Sequence, residues 1–342
     1  MSFTVPGSTH STATENGADA GFRTILVPIH SPPLEKEKRL ILVGDRCVLE
    51  SKQKVKSMLV RFWGVRGSTP TPQPENLRYG GNTSCVEVRV NGHLYIFDCG
   101  TGFRNLGKHL QQETNGTPLA AHIFLSHFHW DHIQGIPFFT PLYHNTKSSF
   151  IFHSSSRTRG LRRALEEQMS DPYFPVNMDE MAARRQFCDI EEGRLEFDDC
   201  VIKTLWLNHP QGCLGFRIET REGVVVYATD NEPGDPVFDK NVRKLADGAD
   251  VLIYDAQYLP EEYAAQKRGW GHSHWREAIN VVMESGAKEL ILFHHDPDHT
   301  DECIDSVVAK AREFYPKVRA AAEGMEIRLE AAVNARHLVV SK

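Results

Sequence analysis

The chain has 342 residues, 40% hydrophobic and 25% charged, with a formal net charge of −6 and a pI near 6.3. That is the make-up of one large or two ordinary globular domains, and its acidic balance excludes a broad electrostatic attraction to nucleic acid or anionic membranes. No stretch approaches the ~20 apolar residues that span a bilayer. Seven scattered cysteines, odd in number and never spaced as CxxC, point to reduced thiols in a cytoplasmic protein rather than to a disulfide framework.

Residues 1–21 are rich in Ser, Thr, Gly and Asn with little to bury, which predicts disorder, and they lack the basic and apolar segments of a secretory signal. Residues 22–57 hold two short apolar runs, "FRTILVPI" and "RLILVGDRCVL", split by "HSPPLEKEK". Residues 1–57 are therefore expected to be a disordered or weakly structured extension, in which 22–57 form a small hairpin-like unit or pack on the main domain, before one domain at 58–342. The pattern that opens at Met58 makes that residue a candidate start.

From "MLVRFWGVRGS" onward, runs rich in Val, Ile, Leu and Phe predict strands at 58–63, 84–90, 93–98, 121–126, 149–153, 200–206, 214–219, 223–228, 250–254 and 289–293. A last pair is expected at 325–332 and 336–341. Apolar spacing near 3.6 predicts helices at 102–112, 157–169, 178–187, 237–247, 260–267, 274–285 and 301–314. The early strands follow one another and the later ones alternate with helices. That order predicts an α/β sandwich of two packed sheets with helices outside.

The informative excess is histidine. "LSHFHWDHIQG" places His127, His129, Asp131 and His132 directly after an apolar strand. Imidazole and carboxylate are ligands that Zn²⁺, Mn²⁺ and Fe accept, and a strand end orders them with little chain entropy left to lose. Three further strand ends repeat the logic. His209 stands in "WLNHPQGCLGFRI", Asp230 in "VVVYATDNE", and His294 and His295 in "KELILFHHDPDH". Successive strand residues point to opposite faces, so one of His294 and His295 is expected at the site, and the count along "KELILFH" favours His294. His153, His274 and His299 read as surface or packing residues.

HxHxDH followed by a loop His, a strand-end Asp and a strand-end His resembles the metallo-β-lactamase fold hydrolases, over roughly residues 58–342. The resemblance implies a four-layer αββα sandwich that holds two divalent ions, Zn²⁺ first with Mn²⁺ and Fe as alternatives. It implies His127, His129 and His209 on one ion, Asp131, His132 and His294 on the other, and Asp230 bridging them. In "YIFDCGTG", Asp98 would orient a ligand imidazole.

The stretch "VLIYDAQYLPEEYAAQKRGWGHSHWREAINVVMESGAKELILFHH" is similar to the late region of ribonuclease Z and its cyclic-phosphodiesterase relatives. On that match Asp255 and His272 form an acid–His pair, with His272 as proton donor or phosphate contact; the alternative is that His272 caps the helix beginning near Ser273. This sequence has "DAQY" where ribonuclease Z carries a glutamate-containing motif. The Gly-rich loop "FWGVRGSTPTPQPENLRYGGNTSC" resembles the same branch, and Arg66 or Asn82 could meet a phosphate oxygen there.

Ribonuclease Z carries a long tRNA-gripping arm between the loop His and the bridging Asp. Here residues 210–229 hold only a hairpin. An insertion between His132 and His209 is expected to form an amphipathic helix pair, a lid or a homodimer surface, with Arg157, Arg159, Arg162 and Arg163 on a solvated face. The expectation is a dinuclear phosphodiesterase that uses a metal-bridging hydroxide on a small, possibly cyclic, phosphodiester, without an extended nucleic-acid surface. The alternatives are a ribonuclease Z-like RNA-processing nuclease, a thioester or lactone hydrolase of the same fold, and a metal-stabilised binding module.

Overall fold

A computed structural model describes residues 57–155 and 160–331 in full, and the backbone of 24–25, 38–43 and 46–51. The first sheet has seven strands in the order Glu326–Glu330, Ser57–Gly64, Cys85–Val90, His93–Phe97, Ala120–Phe124, Ser149–Ser154, Arg184–Asp189. The second runs Thr24–Ile25, Gly193–Glu196, Val201–Leu207, Cys213–Glu219, Val224–Ala228, Val251–Asp255, Leu290–Phe293, Val318–Ala320. Lys38–Val43 and Arg46–Ser51 pair as a separate antiparallel hairpin, and Thr24–Ile25 lies parallel to Gly193–Glu196.

Alternation along the strands separates three apolar cores. Phe62, Val86, Val88, Phe97 and Phe124 of the first sheet meet Ile202, Phe216, Ile218, Ile253 and Phe293 of the second in the middle of the sandwich. On the outer face of the second sheet, Val226, Leu252 and Leu292 pack against Leu245, Ile279 and Val307 of the helices Pro236–Ala246, Trp275–Ser285 and Asp301–Arg312. Ile96, Ile123 and Phe152 pack outward against Phe103, Leu106 and Leu165 of the helices Gly102–Thr114 and Leu161–Gln168. The order is helix, sheet, sheet, helix, the four-layer αββα sandwich expected from the sequence.

The connections decide where chemistry can sit. His93–Phe97, Ala120–Phe124 and Ser149–Ser154 are parallel neighbours. So are Val224–Ala228, Val251–Asp255 and Leu290–Phe293. The C-terminal ends of each parallel run therefore fall along one edge, where α/β sheets place their ligands. The loop after Ser57–Gly64 ties the two edges together, since Gly67 N–H donates to the His295 carbonyl at 3.0 Å and His295 N–H to Val65 O at 3.0 Å.

Several elements differ from expectation. Residues 178–187 form no helix: Met178–Glu180 is a single 3₁₀ turn, and Arg184–Asp189 is an edge strand parallel to Ser149–Ser154. Of the expected helix pair, Leu161–Gln168 is the one formed among the described residues. Helix-forming Ala, Arg and Met in "NMDEMAARRQF" are overridden by a free sheet edge. The short strands Gly193–Glu196 and Val318–Ala320 were not expected. At 260–267 the chain makes one helical turn, Pro260–Glu262, and then the π-helical Tyr263–Lys267. The expected disorder at 1–21, the strand at 336–341, Arg157 and Arg159 lie outside the described residues. Among the described residues no helix is long and apolar enough to cross a membrane, and the six described cysteines are free.

Candidate metal centre

All seven residues expected to ligate metals come together at the shared edge. Their donor atoms form overlapping groups within 4.8 Å: His127, His129 and His209; His127, His132 and Asp230; Asp131, His132 and His294. Asp230 stands between two of them. Its Oδ1 is 3.7 Å from His127 Nε2 and 3.8 Å from His209 Nε2, while Oδ2 is 3.2 Å from His132 Nε2 and 3.4 Å from His294 Nε2. Asp131 Oδ2 reaches His294 Nε2 at 3.2 Å and His132 Nε2 at 3.3 Å.

Outer hydrogen bonds fix which nitrogen of each ring faces inward. His132 Nδ1 is 2.8 Å from Asp98 Oδ2, His209 Nδ1 is 2.8 Å from the Gly271 carbonyl, and His294 Nδ1 is 3.0 Å from Gln257 Oε1. His127 Nδ1 is 3.1 Å from Ser126 Oγ. In all four, Nε2 is left to the centre, the arrangement metal-binding histidines use. His129 is turned the other way, with Nε2 2.7 Å from Gln211 Oε1 and Nδ1 3.1 Å from His209 Nε2.

Buried His127 Nε2 has no hydrogen-bond partner among the described residues, and such an orphan requires an explanation. A divalent ion, accepted by an all-nitrogen and carboxylate donor set, supplies it. The residues present fit the group.

Protonation shows the same strain. Burial, reinforced by His132, holds the His127 imidazole well below its ordinary range, and burial pushes His209 down to about 4. His132 goes the other way: burial opposes its charged form, yet Asp230, Asp131 and Asp98 together raise it well above the usual range.

The backbone is also specialised here. Asp98, Asp230 and His294 lie just beyond strand ends with φ of 59°, 54° and 61°, a left-handed conformation uncommon for residues other than glycine. Strain of this kind gathers at functional sites. Two glycines make room for imidazoles: a Cβ on Gly67 would stand 2.4 Å from His294 Nδ1, and one on Gly271, at φ +86°, 2.3 Å from His209 Nδ1.

Asp255 and His272 form the expected pair, with His272 Nδ1 2.9 Å from Asp255 Oδ2 and 3.7 Å from Asp230 Oδ1. Asp255 also accepts the main-chain N–H groups of Asp230 at 3.0 Å, Gln257 at 3.1 Å and Ser273 at 3.2 Å. His272 does not cap the following helix. His274 does, accepting the Glu277 N–H at its Nδ1 over 3.2 Å. Burial opposes the His272 imidazolium, but Asp255 and then Asp230 raise its pKa above the ordinary value.

The two residues expected to meet a phosphate oxygen are engaged by the protein itself. Arg66 is fully buried, and its guanidinium donates to the carbonyls of Gly80 (2.9 Å), Asp296 (2.9 Å), His299 (2.7 Å) and Asn76 (3.3 Å). With four of its five N–H donors given to main-chain carbonyls and the side chain fully buried, it is a structural staple. Asn82 Nδ2 donates to Glu323 Oε2 at 3.0 Å, and its main-chain N–H to Glu323 Oε1 at 2.7 Å. The Gly-rich loop instead serves the centre through Ser68, whose N–H donates to Asp131 Oδ2 at 2.7 Å.

His295 points away from the centre, buried with Nε2 3.0 Å from the Ala321 carbonyl. His153 packs in the interior beside His122, and His299 Nε2 is 3.1 Å from Glu262. Arg162 and Arg163 are exposed and pair with Glu166 and Glu167 one turn on.

Sequence reasoning missed Gln257, Tyr227, Ser126, Gly271 and Gln211. Tyr227 offered a signal, since a phenol inside an all-apolar strand needs a buried acceptor; its hydroxyl donates to Asp98 Oδ2 at 2.8 Å. Gln257 stood in the "DAQY" departure.

A family model described as Beta-lactamase superfamily domain matches residues 93–295. The ribonuclease Z of Haloarcula marismortui is 26% identical over 321 residues, covering 80% of this chain and 97% of that protein. Among solved structures, the metallo-beta-lactamase fold protein YhfI from Bacillus subtilis superposes with a TM-score of 0.62 at 18% identity, over 80% of this chain and 99% of that one. Human tRNase Z, short form, gives 0.57 at 21%, over 79% and 98%. The match over most of both sheets, on a site of this composition, shows that the chain belongs to the beta-lactamase superfamily, as a metal-dependent hydrolase of the metallo-β-lactamase fold.

Proposed function

We propose that the protein is a dinuclear metal-dependent phosphodiesterase acting on small phosphodiesters. His127, His129 and His209 would hold one ion, Asp131, His132 and His294 the other, with Asp230 shared between them and Asp98 orienting His132. Zn²⁺ suits the donor set, as do Mn²⁺ and Fe. When bound, such a pair supplies Lewis acidity and a nucleophilic water at neutral pH.

The observation that carries the reading is His272, held by Asp255 at 2.9 Å and set 3.7 Å from Asp230. Its Nδ1 is taken by Asp255, so Nε2 is the atom available to a substrate oxygen. A proton delivered there neutralises the departing alkoxide of a phosphodiester. Asp255 does two things at once, holding the imidazole and, through the Asp230 N–H, the strained turn that presents the shared carboxylate. Thioester and lactone hydrolysis have no need of this pair.

A small substrate is supported by the chain between His209 and Asp230, which is a plain hairpin of Cys213–Glu219 and Val224–Ala228. The net charge of −6 also disfavours a large polyanion. A second reading, an RNA-processing nuclease, is favoured by the ribonuclease Z relative that this chain matches over 97% of its length.

The test is hydrolysis of bis(p-nitrophenyl) phosphate by metal-stripped protein with and without Zn²⁺ or Mn²⁺. Metal-dependent turnover that fails in His272→Ala supports the proposal. No turnover with two ions bound transfers the reading to thioesters and lactones, and efficient cleavage of precursor tRNA to the nuclease.

A further inference from the structure

The insertion between His132 and His209 helps to enclose a cavity of about 910 Å³ beside the metal centre, within the range of about 300–1,000 Å³ usual for small-molecule sites. His127 and His129 belong to its wall, so cavity and centre are continuous. Much of the remaining wall is hydrocarbon. Phe128 and Ile133 come from the segment that carries the candidate ligands, Ala164 and Phe174 from the insertion, and Trp206 from the strand Val201–Leu207. The rings of Phe138 and Phe174 meet edge to face at 5.7 Å, and Trp130, Phe138 and Tyr173 of the same wall are exposed. Large apolar side chains left in the open around a concave surface mark a recognition site.

The polar groups of that wall are largely spent on the protein. The hydroxyls of Ser126, Ser154 and Ser155 donate to Asp98 Oδ2 at 2.8 Å, the Leu125 carbonyl at 2.9 Å and Glu191 Oε1 at 3.1 Å. Gln134 Nε2 donates to Thr83 Oγ1 at 3.2 Å, and Gln211 Oε1 is 2.7 Å from His129 Nε2. Glu167 is paired with Arg163. No lysine or arginine is among the described residues lining the cavity, so a phosphate finds no counter-charge there. A polyol that entered would lose its bonds to water and gain few in return. A hydrocarbon is driven out of water and needs no partner.

We infer that this cavity binds an uncharged hydrocarbon group of the substrate, an alkyl or aryl ester of the phosphate that lies at the metal centre, with Phe128, Phe174 and Trp206 as contact surface and Ala164 on its insertion side. The inference rests on the phosphodiesterase reading and sharpens it from small phosphodiesters to those that carry a lipophilic ester group.

The test titrates methyl, propyl and hexyl phosphate and glycerol 3-phosphate calorimetrically into the Zn²⁺-loaded protein. The alkyl series varies hydrocarbon at constant charge, and glycerol 3-phosphate is propyl phosphate with two added hydroxyls. Affinity should rise about three- to four-fold for each methylene buried. Propyl phosphate should bind at least roughly ten-fold more tightly than glycerol 3-phosphate. Ala164→Phe, which fills the cavity from the helix, should weaken hexyl phosphate by roughly ten-fold or more relative to methyl phosphate. Methyl phosphate reports folding and metal loading in the variant. Affinities independent of chain length, glycerol 3-phosphate bound as tightly as propyl phosphate, or a chain-length gain untouched by Ala164→Phe would each overturn the hydrocarbon pocket. All three leave bis(p-nitrophenyl) phosphate hydrolysis as independent support for the phosphodiesterase. Failure of every phosphate to bind would overturn the two readings together.

Discussion

Asp255 grips His272 at 2.9 Å and the main-chain N–H of Asp230 at 3.0 Å with the same carboxylate oxygen. The proposed proton donor and the proposed shared metal ligand are thereby positioned from one point. His272→Ala should lower kcat by about 10²–10⁴-fold with metal content unchanged by elemental analysis. Asp255→Asn should lower both kcat and metal affinity, because it loosens Asp230 as well. A His272→Ala enzyme with ordinary kcat would reduce this residue to a packing role.

Asp98 accepts from Ser126 N–H at 2.8 Å and Tyr227 Oη at 2.8 Å, and faces His132 Nδ1 at 2.8 Å. Removing an outer partner of a ligand imidazole typically weakens metal binding about 10–100-fold. Asp98→Ala should show that loss in competition with a chelator, whereas Tyr227→Phe, which leaves the imidazole bond in place, should show a smaller one.

Arg66 gives the opposite expectation. Its guanidinium ties residues 76–80 to 296–299 from a fully buried position. Arg66→Leu strands those carbonyls and should destabilise the protein by roughly 3–5 kcal/mol, the scale of a broken buried polar network. Denaturant midpoints will measure it. A folded Arg66→Leu enzyme with raised KM and undiminished stability would restore the substrate role expected from sequence.

Away from the metals, burial pushes His122 down to about 4 and His153 to about 3. Their rings stack inside the sandwich, His153 against Phe124 at 4.5 Å. Above pH ~6.5 these side chains are neutral in folded and unfolded chains alike, so they leave stability unchanged. As pH falls from there toward 4, the unfolded chain takes up protons that the folded one refuses. Stability then declines by up to about 1.4 kcal/mol per pH unit for each histidine. Urea unfolding of metal-loaded protein between pH 7 and 4.5 should show this slope, and His122→Phe/His153→Phe should flatten it.

The clustering of the candidate ligands was legible because each stands where an apolar run stops, and such a stop is visible in one dimension. Choosing His294 over His295 needed only strand alternation. The left-handed turns at Asp98, Asp230 and His294 left no such mark, since nothing in an aspartate or histidine announces a positive φ. Arg66 misled because a buried arginine is rare and glycines beside it suggested an anion loop; the carbonyls that satisfy it come from residues more than two hundred positions away as well as from its own loop. Residues 184–189 misled because local helix propensity cannot see the open edge at Ser149–Ser154. The cavity under the insertion was invisible for the same reason, being built from segments that only the fold assembles.

The proposed chemistry depends on a two-ion centre shared through Asp230. Its most direct test is a titration of metal-stripped protein with Zn²⁺, following bound metal and bis(p-nitrophenyl) phosphate turnover together, in the wild type and in Asp131→Ala. Wild-type chains should bind two ions, with turnover rising as the second binds, and Asp131→Ala should bind one ion with little turnover. Full turnover at one equivalent, or an Asp131→Ala protein that still holds two ions and works normally, would contradict it.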